Sequence, residues 1–170
     1  SGLYEPDRSH CAGLHRARQC NRQQRKCSLE MHLRRLCQVA GMDNVVKVQS
    51  DAKSLAGCLS MIAAVNGKEA APDSIDIGKG SIEQLMKKYS GHTARKLTGC
   101  IVDEILYYVS QGSPVLAKLN SNRYVIVMSY NATKIRYLDP VTGKSTAASR
   151  TDVTNRLEKS GKVFYSYIAD

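Results

Sequence analysis

Between Ser54 and Gly67 the chain reads SLAGCLSMIAAVNG, where Leu55, Cys58, Leu59, Met61, Ile62 and Val65 leave almost no polar face. A helix that is apolar on nearly all sides belongs at the centre of a fold. Ser54 fits its N-cap, since a short hydroxyl can accept from a free N–H of the first turn, and Gly67 fits its C-terminal stop. Upstream, Val45-Val46-Lys47-Val48 reads as an edge strand. Downstream, a looser segment with Pro72, Gly78 and Gly80 leads to a second helix, SIEQLMKKY. Ser81 and Gln84 have capping-box spacing there, and Gly91 follows its end. A third helix, VDEILYYVSQG, carries acids at its start and a glycine at its end.

From Ser113 onward the period changes. SPVLAKL, RYVIVMSY, KIRYLD and KVFYSYI are short runs rich in Val, Ile and Tyr and bounded by turn residues, which predicts strands. Asn131-Ala132-Thr133 and Pro140-Val141-Thr142-Gly143 suit hairpin connections, and Thr151 to Ser160, followed by Gly161, makes one more helix. Helices first and an antiparallel sheet afterwards predict the α+β class.

With 170 residues, 42% of them hydrophobic and 24% charged, the composition is that of one globular domain with an appendage. No apolar run approaches the roughly 18 residues of a membrane span. The net charge of +10 is unevenly placed: residues 1–41 hold seven Arg and one Lys against three acids. That stretch also contains Cys11, Cys20, Cys27, Cys37, His10, His15 and His32, while eight of the nine tyrosines lie outside it. A boundary near Gly41 follows, with residues 1–41 a basic helical extension and 42–170 the main domain.

Cys11, His15, Cys20, Cys27, His32 and Cys37 are candidate zinc ligands, but the series lacks the paired Cys-x2-Cys knuckle of a zinc site. Two disulfides or free thiols fit it as well. Arginines between 16 and 35 could contact phosphate, yet no aromatic residues interleave them for base stacking. A solvated basic face explains them without nucleic acid.

Four motifs carry a resemblance. LAGCLSMIAAVNG resembles the central helix of the bacteriocin-processing cysteine peptidases, the papain-like domains fused to peptide exporters, with their Cys-Gly-Leu-Ala-Cys-Leu-Ala-Met type of run. Gln111-Gly112-Ser113-Pro114-Val115-Leu116 resembles that family's Gly-x-Pro-Val strand start, and Arg123-Tyr124-Val125-Ile126-Val127 its His-Tyr-Val-Val-Val strand. Leu138-Asp139-Pro140 with Gly143 resembles its Asp-Pro-x-x-Gly turn. The likeness runs from about Val45 to Ile168 and implies a papain-like fold, with a buried central helix packed on an antiparallel sheet.

Carried over residue by residue, the resemblance implies a degenerate site. The nucleophile position, counted back from Met61, falls on Ser54. The general-base position falls on Arg123, with Asn122 before it, and the residue that orients the base matches Asp139. Gln49 approximates the oxyanion donor, one residue closer than the family spacing. A serine hydroxyl needs a base within roughly 2.6–3.2 Å to attack near neutral pH. Arginine, with a pKa of roughly 12.5 or more, cannot be that base. Arg123 is instead expected to pair with Asp139.

Cys58 is the rival nucleophile, since a thiol near a helix N-terminus can be acidified, although its register is that of a buried structural cysteine. His92, alone among histidines in the main domain, falls in a loop and reads as solvated. The expectation is a non-catalytic domain, a pseudoenzyme, that binds a peptide or partner protein in a groove containing Ser54, Asn122, Arg123 and Asp139, with no cofactor. One alternative is an active cysteine peptidase using Cys58, and another is a nucleic-acid or anionic-surface binder acting through the basic segment. The resemblance also implies a bacterial cell-surface or extracellular setting and attachment to a membrane protein.

Overall fold

The computed structural model describes residues 36–120 and 122–168. Its strands are β1 (Cys37–Gln38), β2 (Ala94–Lys96), β3 (Val115–Leu119), β4 (Arg123–Tyr130), β5 (Lys134–Asp139), β6 (Lys144–Ser149) and β7 (Phe164–Tyr167). Its helices are α1 (Ser54–Val65), α2 (Ile82–Ser90), α3 (Val102–Ser110) and α4 (Arg150–Lys159). The strands form one antiparallel sheet in the order β2-β7-β3-β4-β5-β6, and β1 pairs with the far end of β4.

Strand β4 buries every residue from Val125 to Tyr130, which requires cover on both faces of the sheet. α1 and α2 pack against each other, with α1 on β4, whereas α3 and α4 pair with one another and rest on β3. The uniformly apolar sequence of α1 is matched by unbroken burial from Ser54 to Ala63. Capping follows the sequence at α2, where the Ser81 hydroxyl accepts from the Gln84 amide at 3.2 Å and the Gln84 side chain accepts from the Ser81 amide at 3.0 Å. Gly91 closes that helix at a φ of 82°, a left-handed conformation that glycine adopts without strain.

Three expectations change. Residues 45–48 form no strand; Val48 instead donates one backbone bond to the Pro140 carbonyl at 2.8 Å, and Lys47 Nζ donates to the carbonyls of Val48 and Val141. This segment follows the β5–β6 turn. Second, β2 and β6 were not foreseen, because ARK and KSTAAS have no alternating apolar face; both are sheet edges. Third, the packed unit includes residues the sequence assigned to the extension: Cys37 and Gln38 pair with β4, and Val39 is 3% exposed in the core. Residues 1–35 of the extension lie outside the described residues.

Gly57 explains how closely α1 meets the turn. A Cβ there would lie 2.8 Å from Pro140 Cβ and 3.0 Å from Val48 Cγ1. Only a residue without a side chain allows this approach, which brings the start of α1 up to the end of β5.

Candidate functional site

The residues singled out in the sequence gather where α1 begins. A 3-10 turn, Asp51–Lys53, leads into α1, and the first residue of β4 and the last of β5 pass beside it. Ser54 is not an N-cap: Lys53 occupies that position and Ser54 is the first helical residue. Its fully buried hydroxyl donates to the Asp51 carbonyl at 2.6 Å and accepts from the Tyr124 amide at 2.9 Å. The physical reason is the neighbouring strand, whose first N–H groups need an acceptor and find it in this side chain.

Arg123 lies within reach of two carboxylates. Its Nη1 donates to Asp139 Oδ2 at 3.0 Å, the expected pair, and its Nε donates to Asp51 Oδ1 at 2.9 Å. Sequence reasoning missed Asp51; an acid three residues before the helix start was the available signal. Burial opposes the guanidinium charge, but hydrogen bonds and charge attraction from Asp51 and Asp139 outweigh it and raise the Arg123 pKa. Asp139 is buried, and its Oδ1 accepts from the amides of Val141 at 2.9 Å and Thr142 at 3.4 Å. Asp139 therefore accepts from both Arg123 and the turn that follows it.

Cys58, one turn further along α1, has no exposed surface. Burial, and then the nearby negative charge of Asp139, push its thiol well above the ordinary cysteine range, so it stays protonated at neutral pH. His92 is not freely solvated: its ring stacks on Tyr167 with centroids 5.1 Å apart and planes 13° from parallel. Tyr167 in turn receives a 2.9 Å hydrogen bond from Asn66, at the C-terminal end of α1. Asn66 is eight residues from Cys58, about 12 Å of helix rise at 1.5 Å per residue, so His92 packs near the opposite end of the helix.

Gln49 and Asn122 are exposed, the former in the bend before the 3-10 turn and the latter in the turn before β4. Among the described residues no group of three His, Cys, Asp or Glu side chains could hold a metal ion. Five of the candidate zinc ligands, Cys11, His15, Cys20, Cys27 and His32, fall outside those residues; Cys37 is a free thiol in β1. A cavity of about 520 Å³ lies along α2, lined by residues including Asp76, Lys79, Lys88 and Tyr89, and contains none of the clustered residues. No described helix is long and apolar enough to cross a membrane.

No family model matches the chain, and no curated protein sequence matches it. Among solved structures, the fold is similar to a crystal structure provisionally described as a C39-like peptidase from Bacillus anthracis. The TM-score is 0.66 over 80% of this chain and 98% of that one, at 14% sequence identity. Identity at that level speaks for the fold alone. The mixed helices and antiparallel sheet described above thus form a C39-like, papain-like fold, the architecture that the ordered sequence motifs implied.

Proposed function

We propose that this domain is a non-catalytic member of the papain-like architecture that binds a peptide or a partner-protein segment around Ser54, Asn122, Arg123 and Asp139. The observation that carries this reading is the engagement of Arg123 by both Asp51 and Asp139. Hydrolysis by a serine or cysteine needs a nucleophile and a proton acceptor that is free to receive its hydrogen. The Ser54 hydroxyl donates to a backbone carbonyl, which is not a base, and one of its lone pairs is taken by the Tyr124 amide. Asp139, the one remaining acceptor of the expected trio, is hydrogen-bonded to a guanidinium that holds its proton throughout the working range.

Peptide binding is supported by what is left at the surface. Asn122 is exposed, and Arg123 keeps 24% of its side-chain surface accessible beside the half-exposed Asp51. These groups can donate to and accept from the backbone of an extended peptide without any chemistry. The test uses a synthetic peptide spanning a Gly-Gly bond, since the bacteriocin-processing peptidases that the sequence motifs resemble are of the double-glycine type. Mass spectrometry after prolonged incubation should find the peptide intact, and amide NMR shifts on titration should centre on residues 51–54 and 122–124. Cleavage of the peptide, or shifts only elsewhere in the fold, would overturn the reading.

A further inference from the structure

The two edges of the sheet are built differently. β2 is three residues long and carries exposed Arg95 and Lys96, the short and charged form that discourages pairing. β6 is six residues long, pairs with β5 in an unbroken register, and holds one charge, Lys144, at its very start. It has no proline and no bulge, and among the described residues no strand lies beyond it. We propose that the outer edge of β6 is a docking strand that accepts an acidic, extended segment of a partner protein.

Hydrogen-bond parity identifies the groups that would be used. Arg150 N donates to the Thr133 carbonyl at 2.9 Å, one step beyond the Lys134–Ser149 pair that starts the ladder. In an antiparallel ladder, bonded and non-bonded pairs alternate. The pairs Ile135–Ala148, Tyr137–Thr146 and Asp139–Lys144 are therefore the bonded ones. Ser145 and Ala147 direct their backbone N–H and C=O groups away from β5, and both residues are exposed. An added strand would bond to these two.

The side chains select the partner. Residues paired across an antiparallel ladder share a face, so Lys134 and Arg136 of β5 lie on the same face as Ser145, Ala147 and Ser149, and all five are exposed. Arg136 already leans toward the edge, its Nη1 donating to Ser145 Oγ at 2.9 Å. An incoming strand would lie two strand spacings, roughly 9 to 10 Å, from β5, a gap that a Lys or Arg and an opposing Glu can close between them. A segment with acids at alternate positions places them on this basic face. A second copy of the same edge would instead bring like charges together in a chain whose net charge is already +10.

Two fluorescein-labelled peptides test this, one alternating Glu with Thr and one alternating Lys with Thr, by fluorescence anisotropy. The Glu peptide should bind with an affinity that falls as salt is raised, shift the amide resonances of Ser145 and Ala147, and be preferred over the Lys peptide. Ala147→Pro, which deletes an outward N–H but no β5 bond, should weaken binding at least about tenfold. Ala147→Glu should do the same without altering the backbone, which keeps the test valid if the proline variant misfolds. Lys134→Glu with Arg136→Glu should reverse the preference. Equal binding of the two peptides, indifference to both Ala147 substitutions in folded protein, or sedimentation as a dimer through β6 would overturn the proposal.

Discussion

Arg123 and Asp139 stand at adjacent strand ends, the first residue of β4 and the last of β5, joined by a 3.0 Å charge-assisted bond. The Asp139 side chain is only 6% exposed, whereas Asp51, on the other arm of the guanidinium, is 45% exposed. The two arms are unequal. Asp51→Asn should cost under about 1 kcal/mol, as screened surface pairs do. Arg123→Met should cost about 2 kcal/mol, less than the loss of a fully buried pair because the guanidinium is partly solvated and Asp139 keeps its turn amides. Urea unfolding of the two variants checks the ranking.

Ser54→Ala removes an acceptor from a buried N–H. The Tyr124 amide then lacks its partner, and the expected loss is about 1–3 kcal/mol, with faster hydrogen exchange at Tyr124 than at neighbouring β4 amides. An unchanged exchange rate at Tyr124 would show that the hydroxyl does not hold the strand.

Gly57→Ala should destabilise in spite of alanine's higher helix propensity. Propensity favours the change by about 1 kcal/mol, but the new methyl meets Pro140 and Val48, and overpacking of that kind costs about 1–3 kcal/mol. Adding Val48→Ala should recover part of the loss, since it removes one of the two clashing groups. Additive losses in the double variant would contradict this.

The Cys58 thiol gives a stability change above neutral pH. In the unfolded chain it ionises near its ordinary value of 9.0, while in the fold burial and Asp139 keep it protonated to higher pH. The folded state then holds the proton that the unfolded state has released. Stability should fall as pH rises past about 9, at up to about 1.4 kcal/mol per pH unit from this group. Cys58→Ala should make that slope shallower between about pH 9 and 10, leaving the part contributed by Tyr124, Tyr130, Tyr165 and Tyr167, whose pKa values burial also raises. The half-buried Cys37 should react with iodoacetamide well before Cys58 does.

The strands and helices that were legible in the sequence are those with strong burial. β3, β4 and β7 announce themselves as Val, Leu, Ile and aromatic runs because both of their faces are covered, or nearly so. β5 shows the alternation of a half-covered strand, with Ile135 and Tyr137 buried and Lys134 and Arg136 exposed. β2 and β6 are held mainly by backbone bonding at the sheet margins, where little apolar surface is buried and no pattern results. At the site, the Arg123–Asp139 pair was legible because both residues sit in motifs whose order fixes their neighbourhood. Asp51 was not, since its partner is distant in sequence. Ser54 was misread as a cap because local sequence cannot show that a strand seventy residues away claims the hydroxyl. His92 was misread for the same reason, its stacking partner being contributed by β7.

The double engagement of Arg123 also limits how this chain can change over generations. A histidine at 123 would be shorter and lacks the forked guanidinium that spans Asp51 and Asp139 together. The intermediate is less stable before any new activity exists to select for it, and the single variant Arg123→His should unfold at lower urea than the parent. The arginine acts as a ratchet: acquiring an imaginable catalytic imidazole here would require compensating changes first, and drift alone is biased toward keeping the clasp shut.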